Sequence, residues 1–322
     1  MDIRNSKAIC TDAQQALSAQ RFDPKKLALL HTGAAAIFSL LLTVVHFVLE
    51  KQMENAVGLS GVGLRSVLAT AQSVLSIASF AIIPFWEFGF TAAGLRFSRQ
   101  QQAEPATLLE GFRRWGGVLR LTILRFIYYI AIMFVCAQVA TVVYTFTPFS
   151  APFMDAMLTA MESGAALDET ALQALLPSLI PLYIIAGILL CIVLIPAIYR
   201  LRFAEFALLD SPRPAALPAM FTSWRMLRRN CMSLFRLDLQ YWWYYLLSAV
   251  ISVVGYGDLI AASLNIHLPF SSDTAFFVFY LLHLVCQIVL SWQARSRITA
   301  TYAVAYDTLL SGDEPVIPAI TQ

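Results

Sequence analysis

Long apolar runs alternate with short charged segments along the whole chain. Six stretches hold no Asp, Glu, Lys or Arg: Leu27 to Leu49, Ser66 to Trp86, Phe126 to Met154, Thr170 to Tyr199, Leu239 to Gly257 and Thr274 to Ala294. Each is about 19 residues or more, enough for a helix to cross a hydrocarbon core of about 30 Å. The third and fourth approach about thirty residues, so part of each must tilt, leave the core or turn along its surface. The pattern predicts an all-α polytopic membrane protein with six transmembrane helices in a single integral membrane domain, 1–322. Residues 1–26 form a polar N-terminal segment, 27–310 the membrane helices and their loops, and 311–322 a tail.

A second periodicity fills the charged segments. After Thr107, the residues Leu108, Leu109, Phe112 and Trp115 recur on one helical face, with Glu110, Arg113 and Arg114 on the other. Further on, Leu217, Met220, Phe221, Trp224 and Leu227 oppose Arg225, Arg228 and Arg229. Both segments read as amphipathic helices in the membrane interface, with the Arg heads at phosphate level and the rings among the headgroups. Thr107 followed by Glu110, and Thr11 followed by Gln14, have the spacing of capping boxes. Pro152 to Leu176 alternates Met154, Met157, Leu158 and Met161 with Asp155 and Glu162, then Leu167, Leu172, Leu175 and Leu176 with Asp168 and Glu169. That predicts a pair of short helices on the opposite face.

The amphipathic segments expose an internal repeat. A small residue, any residue and then Arg occurs at Ala19-Gln20-Arg21, Gly111-Phe112-Arg113 and Ser223-Trp224-Arg225, each soon followed by an apolar run. The even-numbered runs leave the membrane through similar residues: Phe90-Thr91-Ala92-Ala93, Phe203-Ala204-Glu205-Phe206 and Tyr302-Ala303-Val304-Ala305. Three units of amphipathic helix plus hairpin, inserted in the same orientation, account for both features. The competing account is that any hairpin protein has basic, aromatic turns.

Composition supports the membrane reading, with 59% hydrophobic and 13% charged residues against roughly 25% charged in an average soluble domain. A net charge of +2 argues against a nucleic-acid partner. Of the 22 Lys and Arg, only Lys51 and Arg65 fall in the loops on one side. This is the asymmetry of a multi-pass protein with both ends in the cytoplasm. The polar stretch from Met1 to Lys26 has no cleavable-signal pattern, so the first span is expected to stay as the anchor. The five cysteines lie in spans or basic segments and are expected to be free thiols.

Ionisable side chains near spans are costly to desolvate and raise a functional question. Glu87, Arg120, Arg125, Arg200, Arg202, Glu205, Arg236, Asp238, Arg295 and Arg297 lie within about two helical turns of the basic boundaries. One reading is an inward-opening charged vestibule for an anionic headgroup or solute, with Glu87 meeting Arg120 or Arg125 and Glu205 meeting Arg236 or Arg202. The other is snorkelling Arg and ion pairs that set helix depth. Arg113, Arg114, Arg225, Arg228 and Arg229 are the candidate contacts to lipid headgroups, making an anionic bilayer the expected partner. His46 and His283 could carry protons or hydrogen-bond neighbouring helices, whereas His31 and His267 look interfacial. Pro84, Pro181 and Pro196 predict kinks, and Tyr241-Trp242-Trp243-Tyr244-Tyr245 an interfacial aromatic belt. No enzyme motif, metal spacing or cofactor loop occurs, so no catalytic residue, metal or cofactor is expected.

The stretch Thr222-Ser223-Trp224-Arg225-Met226-Leu227-Arg228-Arg229-Asn230, followed by Leu234-Phe235-Arg236-Leu237-Asp238-Leu239-Gln240-Tyr241 and Leu246-Leu247, resembles a family of bacterial integral membrane proteins, domain-of-unknown-function family 975. That family runs from a Ser-led basic helix into Leu-Phe-x-Leu-x-Leu-Ser-Phe and a Trp before Leu-Leu. Here Gln240, Tyr241 and Tyr244 stand where it has Ser, Phe and Trp. Arg202 to Asp210 is similar to its span exit, and Tyr302 to Leu310 to its closing Tyr-rich helix. The resemblance implies a bacterial cytoplasmic membrane and transfers no activity. The expected function is therefore a non-enzymatic scaffold or regulator acting on lipids or membrane partners, including further copies of itself. The alternative is a transporter of a small lipophilic or anionic solute.

Overall fold

Backbone donors and acceptors have no partner in lipid except each other, so an apolar chain of this length must close its hydrogen bonds within helices. The computed structural model describes residues 6–56, 59–163, 169–211, 215–264, 266 and 271–312, and among them every regular element is helical. In order they are α1 (Ser6–Ser18), α2 (Pro24–Asn55), α3 (Leu59–Ser98), a 3-10 turn (Pro105–Leu109), α4 (Glu110–Arg113), α5 (Trp115–Thr145) and α6 (Ala151–Ser163). There follow α7 (Glu169–Arg200), α8 (Ala204–Asp210), α9 (Ala216–Leu227), α10 (Cys231–Asp238), α11 (Trp242–Val254), α12 (Gly257–Ser263) and α13 (Ser272–Gly312).

Among the described residues five helices are long and apolar enough to cross a membrane, and a bent pair raises the number to six if it counts as one span. The protein is an all-α polytopic membrane protein. The bend falls in the fifth uncharged run, where α10–α11 and α12 diverge by 62°. Its cause is local. Gly257 lies so close to the Phe279 ring that a Cβ there would meet it at 2.5 Å, and His283 Nδ1 stands 2.9 Å from the Ile251 carbonyl at the end of α11. His283 is thus a hydrogen-bond partner of a neighbouring helix, as is His46, whose Nε2 lies 3.4 Å from Ser76 Oγ.

Asp23 starts α2 by accepting the Lys25 N–H at 2.9 Å, with Pro24 at the first turn where its missing N–H costs nothing. The capping boxes expected from spacing fall differently. Thr107 is the third helical residue rather than the cap: Glu104 caps, Pro105 follows it, and Thr107 Oγ1 accepts the Glu104 N–H at 3.2 Å. Pro105 decides this because it fixes the first-turn φ two residues upstream of Thr107. Thr11 lies inside α1, donating its hydroxyl back to the Lys7 carbonyl. Helices α3 and α7 continue through Pro84 and through Pro177, Pro181 and Pro196.

By its contacts the chain forms two compact units, one of residues 1–121 and 203–322 and the other of 122–202. Within the larger, the amphipathic segments share one packing rule: α1 packs on α13, the 3-10 turn and α4 on α3, and α9 on α8. Each docks through small residues. Ala13 and Ala16 of α1, Gly111 of α4, and Ala216, Ala219 and Ser223 of α9 are buried. Their bulky residues go the other way: Leu109, Phe112, Trp115, Leu217 and Phe221 are exposed. This departs from the expected amphipathic face, because Leu108 and Leu227 are buried against protein while the larger rings project. Helix α1 is different, with polar residues on its outer side.

In the smaller unit α6 packs on α7, and the buried Tyr144 hydroxyl sits 3.0 Å from the Phe149 carbonyl and 2.9 Å from that of Ser178. The run after Phe126 divides as its length required, with α5 ending at Thr145 and α6 beginning at Ala151. The predicted second short helix, over Leu167 to Leu176, is instead continuous with α7 from Glu169 onward, and residues 164–168 lie outside the described residues. Helix propagation adds one hydrogen bond per residue, and no Gly or Pro falls between Glu169 and Leu176 to stop it. The tail from 313 and His267 also lie outside the described residues.

Candidate functional site

The basic ends of the spans hold the chemistry. Glu87 projects from α3, and its partner is Arg295 of α13, whose guanidinium also lies 5.1 Å from the centre of the Phe90 ring. Arg120, one of the two arginines expected there, is exposed. A carboxylate and a guanidinium on packed helices satisfy each other more cheaply than either satisfies itself in lipid.

Beside this pair α2 and α3 are locked by a reciprocal contact. Trp86 Nε1 donates to the His31 carbonyl at 2.9 Å, and His31 Nε2 lies 3.2 Å from the Trp86 carbonyl. The imidazole stacks against Trp86 and tilts against Phe90. His31 is therefore fully buried and not interfacial. The correction has a physical reason: the ring packs against two aromatic side chains, and the Trp86 carbonyl accepts the proton that Nε2 carries there.

Above the pair lies a cleft of about 520 Å³ between α2, α3 and α13. Its walls are apolar, with Phe38, Leu42, Ile83 and Leu284, and its polar atoms come from Thr32, Ser39, Glu87 and Gln287.

The second cluster was not expected. Arg99, just past α3, donates in a fork to Asp210 at the end of α8, at 2.6 and 2.7 Å. The same guanidinium reaches Asp307 of α13 at 2.8 Å, and Ser98 donates to that carboxylate at 2.6 Å. Hydrogen bonds from Asp210 first, then Asp307, hold the Arg99 guanidinium charged even above its ordinary range. One side chain thus joins residues that follow the second, fourth and sixth apolar runs.

Other predicted site residues take structural partners. Glu205 accepts the Thr91 hydroxyl at 2.9 Å, and Asp238 accepts the hydroxyls of Tyr245 and Tyr302. Arg125 donates to the Leu201 carbonyl at 2.8 Å, and Arg202 is partly buried. Arg236 is exposed. Arg114, expected at a headgroup, is partly buried instead, bonding Glu110 at 3.1 Å and the Leu209 carbonyl at 2.9 Å. A three-residue step from Gly111 turns it toward the protein rather than outward. Arg113, Arg225, Arg228 and Arg229 are exposed.

The chain matches no family model, no curated protein and no solved structure.

The chemistry alone therefore carries the functional argument. Glu87–Arg295 and Arg99–Asp210–Asp307 are donor-matched ion pairs, suited to fixing helix ends. The exposed arginines beside exposed rings are suited to an anionic surface. Sequence reading passed over Arg99, Asp210 and Asp307 because each lies beyond an uncharged run, where a charge looks ordinary. The available signal was position: each follows the aromatic opening of its exit motif, Phe90, Phe203 or Tyr302, within about two and a half turns.

Proposed function

We propose that the protein is a non-enzymatic membrane scaffold that gathers anionic lipids at the cytoplasmic face of a bacterial inner membrane, with both termini inside. The observation that carries this reading is a division of charge. Arg99 and Arg295 are joined to carboxylates of packed helices, while Arg225, Arg228 and Arg229 stand exposed next to Leu217 and Phe221, and Arg113, 3.8 Å from Glu110, is exposed next to Leu109 and Phe112. A carrier needs polar groups available to its cargo, whereas Glu87 is held by Arg295. The cleft that ends at this pair is walled for an acyl chain. Membership of the family of unknown function 975 belongs to the same proposal and rests on the stretch from Thr222 to Leu247.

Orientation follows from the Lys and Arg asymmetry. Reporters fused after Gln102 and Arg213 are expected to be cytoplasmic, and those after Gly61, Gly164 and Ser271 external. A cytoplasmic signal at Gly164 contradicts the six-span topology.

The scaffold reading is tested by the lipid that the full-length protein retains. Each exposed arginine near an anionic surface contributes about 1 kcal/mol. Purified from mixed bilayers, the wild type should carry a shell enriched in phosphatidylglycerol over phosphatidylethanolamine, weakening with salt. The R113Q/R225Q/R228Q/R229Q variant should lose most of that enrichment. An unchanged shell in the variant sinks the proposal.

A further inference from the structure

A separate cavity of about 390 Å³ opens where α1, α2, α11 and α13 meet. It is lined by Gln14, Lys25, Tyr241, Trp243, Trp292 and Arg297, with the Gln293 amide and Ala294 completing it. Two cations line it and no carboxylate does. Glu87 is engaged by Arg295, and Asp23 caps the first turn of α2 through the Lys25 backbone N–H.

The walls are held independently of any occupant. Ser296 Oγ donates to the Pro24 carbonyl at 2.6 Å, bringing the first turn of α2 against the turn of α13 that carries Arg297. Tyr241 is fixed by its hydroxyl, 2.8 Å from Thr301 Oγ1, and Thr301 in turn donates to the Arg297 carbonyl. The neighbouring Gln240 donates to Ser6 Oγ and accepts from the Cys10 thiol, anchoring α1 over the same place. Three of these bonds join segments more than 200 residues apart around one space, which is a built site rather than a surface dent.

From this geometry we infer that the cavity binds the phosphate of an anionic phospholipid headgroup. Lys25 supplies a mobile point charge, and Arg297 a planar fork that matches phosphate oxygens. Gln14 and Gln293 add neutral donors for the glycerol hydroxyls. Trp243 and Trp292, each about two-fifths exposed, present the amphipathic rings that settle at headgroup depth. A cavity of this size falls within the range of small-molecule sites of about 300–1,000 Å³. The site shares no residue with the exposed arginines of the scaffold reading, so each can fail alone.

The test is native mass spectrometry of the full chain with phosphatidylglycerol or with phosphatidylcholine of the same acyl composition. One phosphatidylglycerol should be held more tightly than any phosphatidylcholine, and K25Q/R297Q should weaken it about thirtyfold, the scale of losing two interfacial charges. K25R/R297K should retain it, and R225Q/R228Q should leave it untouched. Equal retention by K25Q/R297Q overturns the site. Displacement by millimolar inorganic phosphate overturns the lipid assignment in favour of a free anion. Should K25Q/R297Q fail to fold, the wild type decides. A headgroup-photoactivatable phosphatidylglycerol should label peptides carrying Trp243 or Trp292, and labelling confined to other peptides overturns the inference.

Discussion

Replacing Gly111 with alanine is expected to destabilise the protein by about 3 kcal/mol, the upper end of ordinary overpacking. A Cβ at Gly111 would stand 1.9 Å from the Phe85 carbonyl oxygen, and one at Gly89 equally close to that of Leu108. The two contacts are reciprocal: α3 and the segment from the 3-10 turn to α4 cross backbone to backbone, one helical turn apart. Neither obstacle is the flexible end of a side chain, so relief requires the segments to separate. Separation would uncover Thr107 and Leu108, which are now buried. Gly33 is the internal control, since a Cβ there meets nothing within 4 Å. Gly33→Ala should be neutral or stabilising by up to about 1 kcal/mol, because alanine is the better helix former. Thermal unfolding in detergent reads both. Gly111→Ala melting with the wild type would show that the crossing is not this tight.

The second large effect is expected at Arg99. Removing its side chain leaves the Asp210 and Asp307 carboxylates facing each other without the guanidinium that both now grip. Breaking a fully buried pair costs about 3–5 kcal/mol. Here the side chains are 33%, 23% and 27% exposed, so solvent screening reduces the expected loss to about 2 kcal/mol. Arg99→Lys should recover only part of it, because one ammonium cannot present a fork to Asp210 while reaching Asp307. Neutralising both carboxylates in the Arg99→Ala background should recover more, since repulsion is the larger part of the damage. Unfolding midpoints for the wild type, Arg99→Ala, Asp210→Asn/Asp307→Asn and the combined variant form the necessary cycle. Additive losses, or an Arg99→Ala effect below about 0.5 kcal/mol, would reduce the cluster to an ordinary surface contact.

Helix type and the places of the apolar runs were legible because lipid imposes them: an uncharged run of adequate length has one low-energy solution. What composition does not encode is angle and partnership. The run from Leu239 to Gly257 reads as one span, yet it bends where Gly257 meets Phe279, a contact set by α13. Glu87 was recognisable as a group needing a cation, but Arg295 lies 208 residues away and neighbours in sequence offered nearer arginines. Arg114 and Arg113 are adjacent and chemically alike. Only docking through Gly111 turns one inward and leaves the other exposed. His31 looked interfacial because it sits near the start of an apolar run, and Trp86 and Phe90 cover it only once α2 and α3 pack. The small-residue-x-Arg spacing marked a packing residue at Gly111 and Ser223, which are buried, but not at Ala19, which is exposed while α1 docks through Ala13 and Ala16.

The central claim is that charges at the basic ends tie residues beyond the fourth and sixth apolar runs to one arginine, rather than lining a path for solute. Cysteine cross-linking of positions 210 and 307 tests it most directly, in a chain whose five native cysteines have been replaced. Two carboxylates that share one guanidinium place their Cβ atoms within reach of a short bifunctional thiol reagent. The account predicts rapid intramolecular cross-linking of the Asp210→Cys, Asp307→Cys variant in the membrane, seen as a linked peptide pair after proteolysis. Cross-links only between separate chains, or none under conditions that modify both thiols, would contradict it.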